Sequence, residues 1–262
     1  LIQSLYRLMI ELTNRRWSST LLKRFARSSA SKWVVPSFAR TYKINQEEME
    51  KELGEYKSLH DFFIRRLKPG TRITEAASDA IVSPVDAIIE DIGPVVPELE
   101  IHVKGKVYSI AEMLGSAEAA SPYREGTYMV LYLSPTHYHR IHSPVSGTIL
   151  NQWSLGSRSY PVNALGLKYG KGTLSKNYRM VTEIDYGSGR LALVKVGAMF
   201  VNSIETVHEG ERLKKGEEMA YFSFGSTVVL LFEKDGIELA EDIVLPAHVK
   251  VGEKLGTLTP RH

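Results

Sequence analysis

The chain has 262 residues, 33 Lys and Arg against 30 Asp and Glu, and no Cys. That length supports a sizeable core in one large domain or two small ones. A hydrophobic share of 43% and a charged share of 24% are those of a globular protein and exclude disordered, collagenous and disulfide-stapled classes. The absence of Cys excludes thiol nucleophiles, Cys-ligated zinc and iron–sulfur clusters.

No apolar run reaches the length that crosses a bilayer. No apolar core followed by a small-residue cleavage site stands near the start, so no secretory signal is expected. The start at Leu1 implies that an initiator Met precedes it.

The net charge of +3 hides a split. Residues 1–45 carry nine basic residues (Arg7, Arg15, Arg16, Lys23, Arg24, Arg27, Lys32, Arg40, Lys43) and one acid, Glu11. The rest of the chain is net acidic, with 24 basic and 29 acidic residues. Such a basic segment favours contact with a polyanion. Leu5, Leu8, Met9 and Leu12 recur at helical spacing, Leu21, Leu22 and Phe25 follow among basic residues, and Trp17 and Trp33 flank them. Apolar stripes edged by Trp, Lys and Arg predict helices that lie on an anionic membrane surface. The alternative is that these helices pack on the protein's own core and show only a solvated basic face. A nucleic-acid partner is disfavoured because no basic, aromatic β motif accompanies the charge. Residues 1–45 are read as a membrane-anchoring segment and 46–262 as the main folded domain.

Next in order, Asn45 ahead of Gln46-Glu47-Glu48 predicts one short helix, and Ser58 with Asp61 predicts a second that stops near Pro69-Gly70. From about residue 80 the texture becomes short β-rich runs, as in Thr127–Leu133, Leu191–Val196, Tyr221–Phe224 and Thr227–Phe232. Two internal echoes stand out. Ser83–Ile89 resembles Ser143–Ile149, and Gly210-Glu211-Arg212-Leu213-Lys214-Lys215-Gly216-Glu217 is echoed by Gly252-Glu253-Lys254-Leu255-Gly256. Turns repeated in this way resemble the barrel-sandwich hybrid of biotinyl and lipoyl carriers. The predicted fold is α+β, mostly β, with a barrel-sandwich-hybrid-like core and N-terminal amphipathic membrane-binding helices.

Three features bear chemistry. His137, His139 and His142 fall within six residues directly after an apolar strand, where a rigid sheet end holds functional loops. His-x-His spacing suits a metal, and a single imidazole suits a general base. Asp86 lies in a Pro-bounded turn and is by itself an ordinary turn residue. Gly225-Ser226-Thr227 interrupts two apolar β runs. This step is either a bulge or a place where the Ser226 hydroxyl meets the preceding Gly225 carbonyl. The Gly170/Gly172 and Gly187/Gly189 pairs lack the spacing of a nucleotide loop and read as turns.

Six stretches in order, SLHDFFIRRLKPGTR (58–72), SPVDA (83–87), KGKVYS (104–109), YHRIHSP (138–144), YPVN (160–163) and FGSTVVLL (224–231), resemble the phosphatidylserine decarboxylase family, in its short bacterial, Bacillus-like type. The resemblance covers nearly the whole chain. It implies a proenzyme that cuts itself between Gly225 and Ser226. His142 takes the Ser226 proton and Asp86 orients the imidazole, as in a serine-protease triad. Ester formation at the Gly225 carbonyl and elimination then release chain 1–225 and leave dehydroalanine at 226. Addition of water and loss of ammonia turn that residue into a pyruvoyl group capping chain 226–262. The pyruvoyl group forms a Schiff base with phosphatidylserine and serves as electron sink for its decarboxylation to phosphatidylethanolamine. His139 is the candidate for proton transfer in that step, and His137 has no assigned role.

The resemblance further implies a peripheral protein on the cytoplasmic face of the bacterial membrane, a homodimer, and no metal. Ala87, Asn202 and Ala220 stand where the family commonly has Gly, and Tyr178 where an acid is usual. The rival enzyme is a zinc hydrolase using Asp86 with two of the three histidines. The non-enzymatic rival is a biotinyl/lipoyl-type carrier, which needs a Lys at a hairpin tip that neither echo supplies.

Overall fold

The computed structural model describes residues 21, 24–158, 160, 162, 172–198, 204–223 and 226–259. The apolar stripe at Leu5–Leu12, Trp17, Asn202, Phe224 and Gly225 lie outside them. In chain order the strands are β1 (Ala80–Val82), β2 (Ala87–Pro94), β3 (Glu100–Val103), β4 (Lys106–Ser109), β5 (Thr127–Leu133), β6 (Arg140–His142), β7 (Gly147–Leu155), β8 (Arg179–Asp185), β9 (Arg190–Gly197), β10 (Ile204–Thr206), β11 (Arg212–Leu213), β12 (Glu218–Phe222), β13 (Ser226–Phe232), β14 (Ile237–Leu239), β15 (Ala247–Val249) and β16 (Lys254–Leu258). The mostly-β α+β class is therefore observed.

An eight-stranded sheet runs β11-β7-β8-β9-β13-β5-β2-β15. Two three-stranded sheets, β1-β16-β14 and β10-β12-β6, accompany it, together with the β3-β4 hairpin. Among the described residues the large sheet ends at β11 and β15 and does not close into a barrel.

Strand β13 is paired along its full length with β5 on one side and β9 on the other. All seven of its residues are buried. A strand covered on both faces must be apolar at consecutive positions, which accounts for the run Val228-Val229-Leu230-Leu231-Phe232. Val228, Leu230 and Phe232 pack into one core with Leu131, Ile141 and Phe222. Val229 and Leu231 pack into the other, with Ile110, Tyr123 and Val194. Each such side chain contributes roughly 1.5–3 kcal/mol through burial.

The internal echoes are structural. The backbone N–H of Val82 donates to the Pro144 carbonyl at 3.0 Å, and that of His142 donates to the Pro84 carbonyl at 2.8 Å. Ser83 Oγ donates to the Val85 carbonyl and Ser143 Oγ to the Val145 carbonyl. Ser83 exchanges backbone hydrogen bonds with Glu253 and Gly252, and Ser143 does so with Glu217 and Gly216. The chain thus contains two copies of one motif whose Ser-Pro-Val turns cross each other. Within the second echo, Gly252-Glu253 corresponds to Gly216-Glu217 at the end of the run, six residues after the Gly210-Glu211 at its start.

The two helices predicted in the segment before the sheets are shorter than expected, and the first is displaced along the chain. Residues 46–48 form a turn in which Asn45 Oδ1 accepts from the Glu47 N–H, and the first of the two helices comes later, as a single 3-10 turn at Leu53–Glu55 closed by a capping box between Glu52 and Glu55. Tertiary pairing overrides the local preference there. Met49 bridges Leu67, Glu50 donates to the Arg66 carbonyl and Lys68 to the Glu48 carbonyl, so both stretches are drawn out straight. The second helix forms with the expected cap, Ser58 Oγ accepting from the Asp61 N–H, but spans only Leu59–Phe63. Its far end is consumed by the same pairing. Phe62 packs with Val35, Ala39, Ile44, Met49 and Tyr56 in a small cluster of its own.

Candidate active site

Ser226 is the first residue of β13, lying between Leu133 at the end of β5 and Gly197 at the end of β9. It shares a sheet face with Val228 and Leu230, because side chains alternate along a strand. Ser226 is fully buried, and among the described residues its Oγ has no hydrogen-bond partner. A buried hydroxyl left unmatched costs on the order of 1–3 kcal/mol, so its retention calls for a chemical reason.

Topology brings the histidine loop to this point. Leu133, which faces Ser226, leads directly into Ser134, and the loop ends where the Phe222 N–H donates to the His139 carbonyl. The two connections, 134–139 and 223–225, therefore run between the same pair of strand ends. The loop is a turn closed by the His137 N–H on the Ser134 carbonyl, so His137 and His139 do not share a face as an extended chain would have them. The His137 ring lies 6.4 Å from that of His248, whereas the His139 ring lies 4.0 Å from that of Phe63.

Backbone contacts define the protonation of each imidazole. His142 Nδ1 lies 2.8 Å from the Gly216 carbonyl, and His139 Nδ1 lies 2.8 Å from the His137 carbonyl. A carbonyl only accepts, so in both rings Nδ1 carries the proton and Nε2 holds a lone pair. Both Nε2 atoms are buried without a partner among the described residues. His137 is reversed, since its Nδ1 accepts from the Ser134 N–H at 3.0 Å. Burial pushes the His142 imidazole below its usual value against the opposing pull of the Gly216 carbonyl, Glu218 and Asp86. Burial, then the charge of Arg65, holds His139 well below that value. Burial lowers His137 to about 4. Near neutral pH all three are therefore free bases, the form in which a buried imidazole accepts a proton.

Asp86 is buried, but its carboxylate does not meet His142 directly. Arg72 Nε and Nη2 clasp it at 2.9 and 2.5 Å, and the Val251 N–H donates to it at 2.9 Å. The Nδ1 of His142 that a triad would turn to the aspartate is taken by the Gly216 carbonyl. Asp86 acts on His142 and His137 through space, favouring the charged form of each. The two residues are neighbours because of the repeat, which sets the His142 N–H on the carbonyl of Pro84 two residues before Asp86.

A cavity of about 460 Å³ reaches His248, but Glu75, Asp242 and Glu253 line it. Those carboxylates disfavour an anionic ligand. Among the described residues no three His, Asp or Glu side chains gather as a metal would need, which counts against the zinc hydrolase reading.

A family model described as phosphatidylserine decarboxylase matches residues 59–257. The chain belongs to the phosphatidylserine decarboxylase family. It is 61% identical over 258 residues to the phosphatidylserine decarboxylase proenzyme of Geobacillus sp. (strain WCH70), covering 98% of this chain and 100% of that protein. It is 56% identical over 261 residues to the proenzyme of Anoxybacillus flavithermus, covering 100% of this chain and 98% of that one. The corresponding proenzyme of Bacillus thuringiensis is 55% identical over 97% of both chains. Within this family frame, sequence reasoning had passed over Arg72 and Arg65, although both lie inside the stretch 58–72 that carries the resemblance. It had also missed Lys195, whose signal was a lone cation in the apolar strand Leu191-Ala192-Leu193-Val194-Lys195-Val196.

Proposed function

We propose that this chain is a self-processing phosphatidylserine decarboxylase whose Ser226 becomes its pyruvoyl group, yielding phosphatidylethanolamine. One observation carries the reading: an orphaned, buried Ser226 hydroxyl stands at the head of a central strand, beside a loop of free-base histidines. His142 Nε2, left with its lone pair by the Gly216 carbonyl, takes the Ser226 proton as the hydroxyl adds to the Gly225 carbonyl. Asp86 stabilises the imidazolium that results by its charge, with Arg72 fixing the carboxylate in place. The residues fit the prosthetic group, since Ser226 is buried with no hydrogen bond to be broken when the hydroxyl is lost, and one water must reach it to release the ammonia. Once present, the group supplies a carbonyl that captures the substrate amine and withdraws the electrons freed with carbon dioxide. His139 Nε2, buried and without a partner among the described residues, moves the proton that replaces the carboxylate.

The substrate's acyl chains bind the enzyme to a bilayer surface, because each methylene drawn into water costs about 0.8 kcal/mol. Residues 1–45 are the proposed anchor. In the described part of it, Trp33 is 87% exposed among exposed Arg24, Arg27, Lys32 and Arg40. Among the described residues no helix is long and apolar enough to cross a membrane. Removal of residues 1–30 is expected to abolish binding to anionic liposomes and leave self-cleavage intact; unchanged binding defeats the anchor.

Intact mass under denaturing conditions tests the chemistry. Two species split after Gly225 are expected, the C-terminal one lighter by one ammonia than the plain peptide, with Ser226→Ala remaining a single chain. An active preparation showing one full-length mass overturns the proposal.

A further inference from the structure

Arg65 is 4% exposed and, among the described residues, forms no ion pair. Its Nη2 donates to the carbonyls of Thr136 at 2.9 Å and His137 at 3.0 Å, while Nε and Nη1 are buried with no partner among the described residues. A guanidinium buried with three of its five N–H donors idle is a poor way to stabilise a fold. The contact that it does make is informative. The His137 carbonyl is also the acceptor of the His139 Nδ1 proton, at 2.8 Å. One oxygen is thus gripped from one side by Arg65 and read from the other by His139. Phe63, two residues before Arg65 and 1% exposed, lays its ring against the His139 ring. Arg140 Nε donates to the carbonyl of Ile64 between them, tying this short segment to β6.

We propose that Arg65 is a positioning residue for His139, fixing the orientation and tautomer of that imidazole through the His137 carbonyl both side chains share. Phe63 completes the clamp from the ring face. The charge of Arg65 adds to the effect. The charges acting on His139 are those of Arg65 and His137, and both favour the neutral ring, with burial the largest cause, while the hydrogen bond to the His137 carbonyl pulls the other way. Asp86 acts on Arg65 and His137 and is not among them. The inference rests on the proposed role of His139 in proton transfer, and its meaning is that the Phe-Phe-Ile-Arg stretch serves the chemistry across 71–72 residues of chain.

The test uses the full chain with Arg65→Gln and Arg65→Lys. Loss of the fork is expected to lower kcat on phosphatidylserine vesicles by roughly 10- to 100-fold with KM nearly unchanged, since small misplacements of a catalytic group have effects of that size. In Arg65→Gln the acid limb of the kcat profile should also move to higher pH, because removing a cation raises the imidazole value. Arg65→Lys retains the charge, so its acid limb should stay while kcat recovers only in part. A second readout needs no turnover. Histidine ¹⁵N spectra of Ser226→Ala should show His139 protonated at Nδ1, and Arg65→Gln in that background should mix the tautomers. If wild-type protein neither cleaves nor decarboxylates, the proposed function fails while the tautomer comparison still decides the role of Arg65. Wild-type kcat and pH profile, a loss confined to KM, or an unaltered tautomer overturns the inference. Should Arg65→Gln not fold, the same comparison in Arg65→Lys decides it.

Discussion

Lys195 offers the sharpest energetic test of this structure. It is fully buried in β9, and its Nζ donates to Thr182 Oγ1 at 2.5 Å, which in turn donates to Gln152 Oε1 at 2.9 Å. Burial pulls its ammonium from the ordinary 10.5 down to about 7. The unfolded chain then holds a proton that the folded chain has shed throughout the interval between those values. Stability contributed by this residue therefore rises with pH across it, at about 1.4 kcal/mol per pH unit, to a total on the order of 5 kcal/mol. Lys195→Met keeps the apolar stem and leaves Thr182 bonded to Gln152. Its stability relative to the parent should be greatest below about pH 7, and the difference should fall by about 2 kcal/mol between about pH 7 and pH 9. Urea unfolding in a Ser226→Ala background, where one intact chain keeps the transition simple, measures that difference. A pH-independent difference would refute the reasoning, because it would mean that the folded protein never releases the proton in this range.

Two further substitutions probe the frame of the site. A Cβ at Gly126 would lie 1.9 Å from the Phe232 carbonyl oxygen, so Gly126→Ala must displace the end of β13 and should destabilise by about 3 kcal/mol or more, read as a lowered Tm; an unchanged Tm would contradict this strand register. Arg72→Met leaves the buried Asp86 carboxylate with the Val251 N–H alone and should destabilise by about 3–5 kcal/mol. A double-mutant cycle with Asp86→Asn should recover much of that loss, and a coupling below about 0.5 kcal/mol would show the pair to be incidental.

Much of the sheet was legible because a strand buried on both faces has little choice of residues. Thr127–Leu133 coincides with β5, and the apolar run after Gly225 coincides with β13 to within one residue. The Ser-Pro-Val echo was legible for a similar reason, since both copies use the same Ser Oγ to Val carbonyl bond. The pair that matches Gly252-Glu253 was not, because Gly210-Glu211 and Gly216-Glu217 offer the same letters and only the pairing with Ser143 chooses between them. Around the site, residue types announced Ser226 and the histidines. What each imidazole faces could not be read, since the partners are backbone carbonyls of Gly216 and His137, which any residue presents. The hold of Arg72 on Asp86 depends on a loop closing over 14 residues, which local pattern does not encode.

The position of β13 has a consequence for the order of events in the life of this protein. Strands β13 to β16 come from residues 226–258, and they are interleaved with strands from the preceding chain: β13 between β5 and β9, β15 on β2, and β16 on β1. A cut before Ser226 would leave a small piece threaded through the middle of a larger one, held by two full ladders and a shared core. While the chain is continuous, that insertion is an intramolecular search. After the cut it becomes a bimolecular one, at whatever concentration the pieces have. If the chain is cut as proposed, folding must come first and cleavage second, and a mature molecule once unravelled would have no direct way home. Maturation in such an architecture acts as a ratchet, spending the connection that made assembly easy only after assembly has been completed.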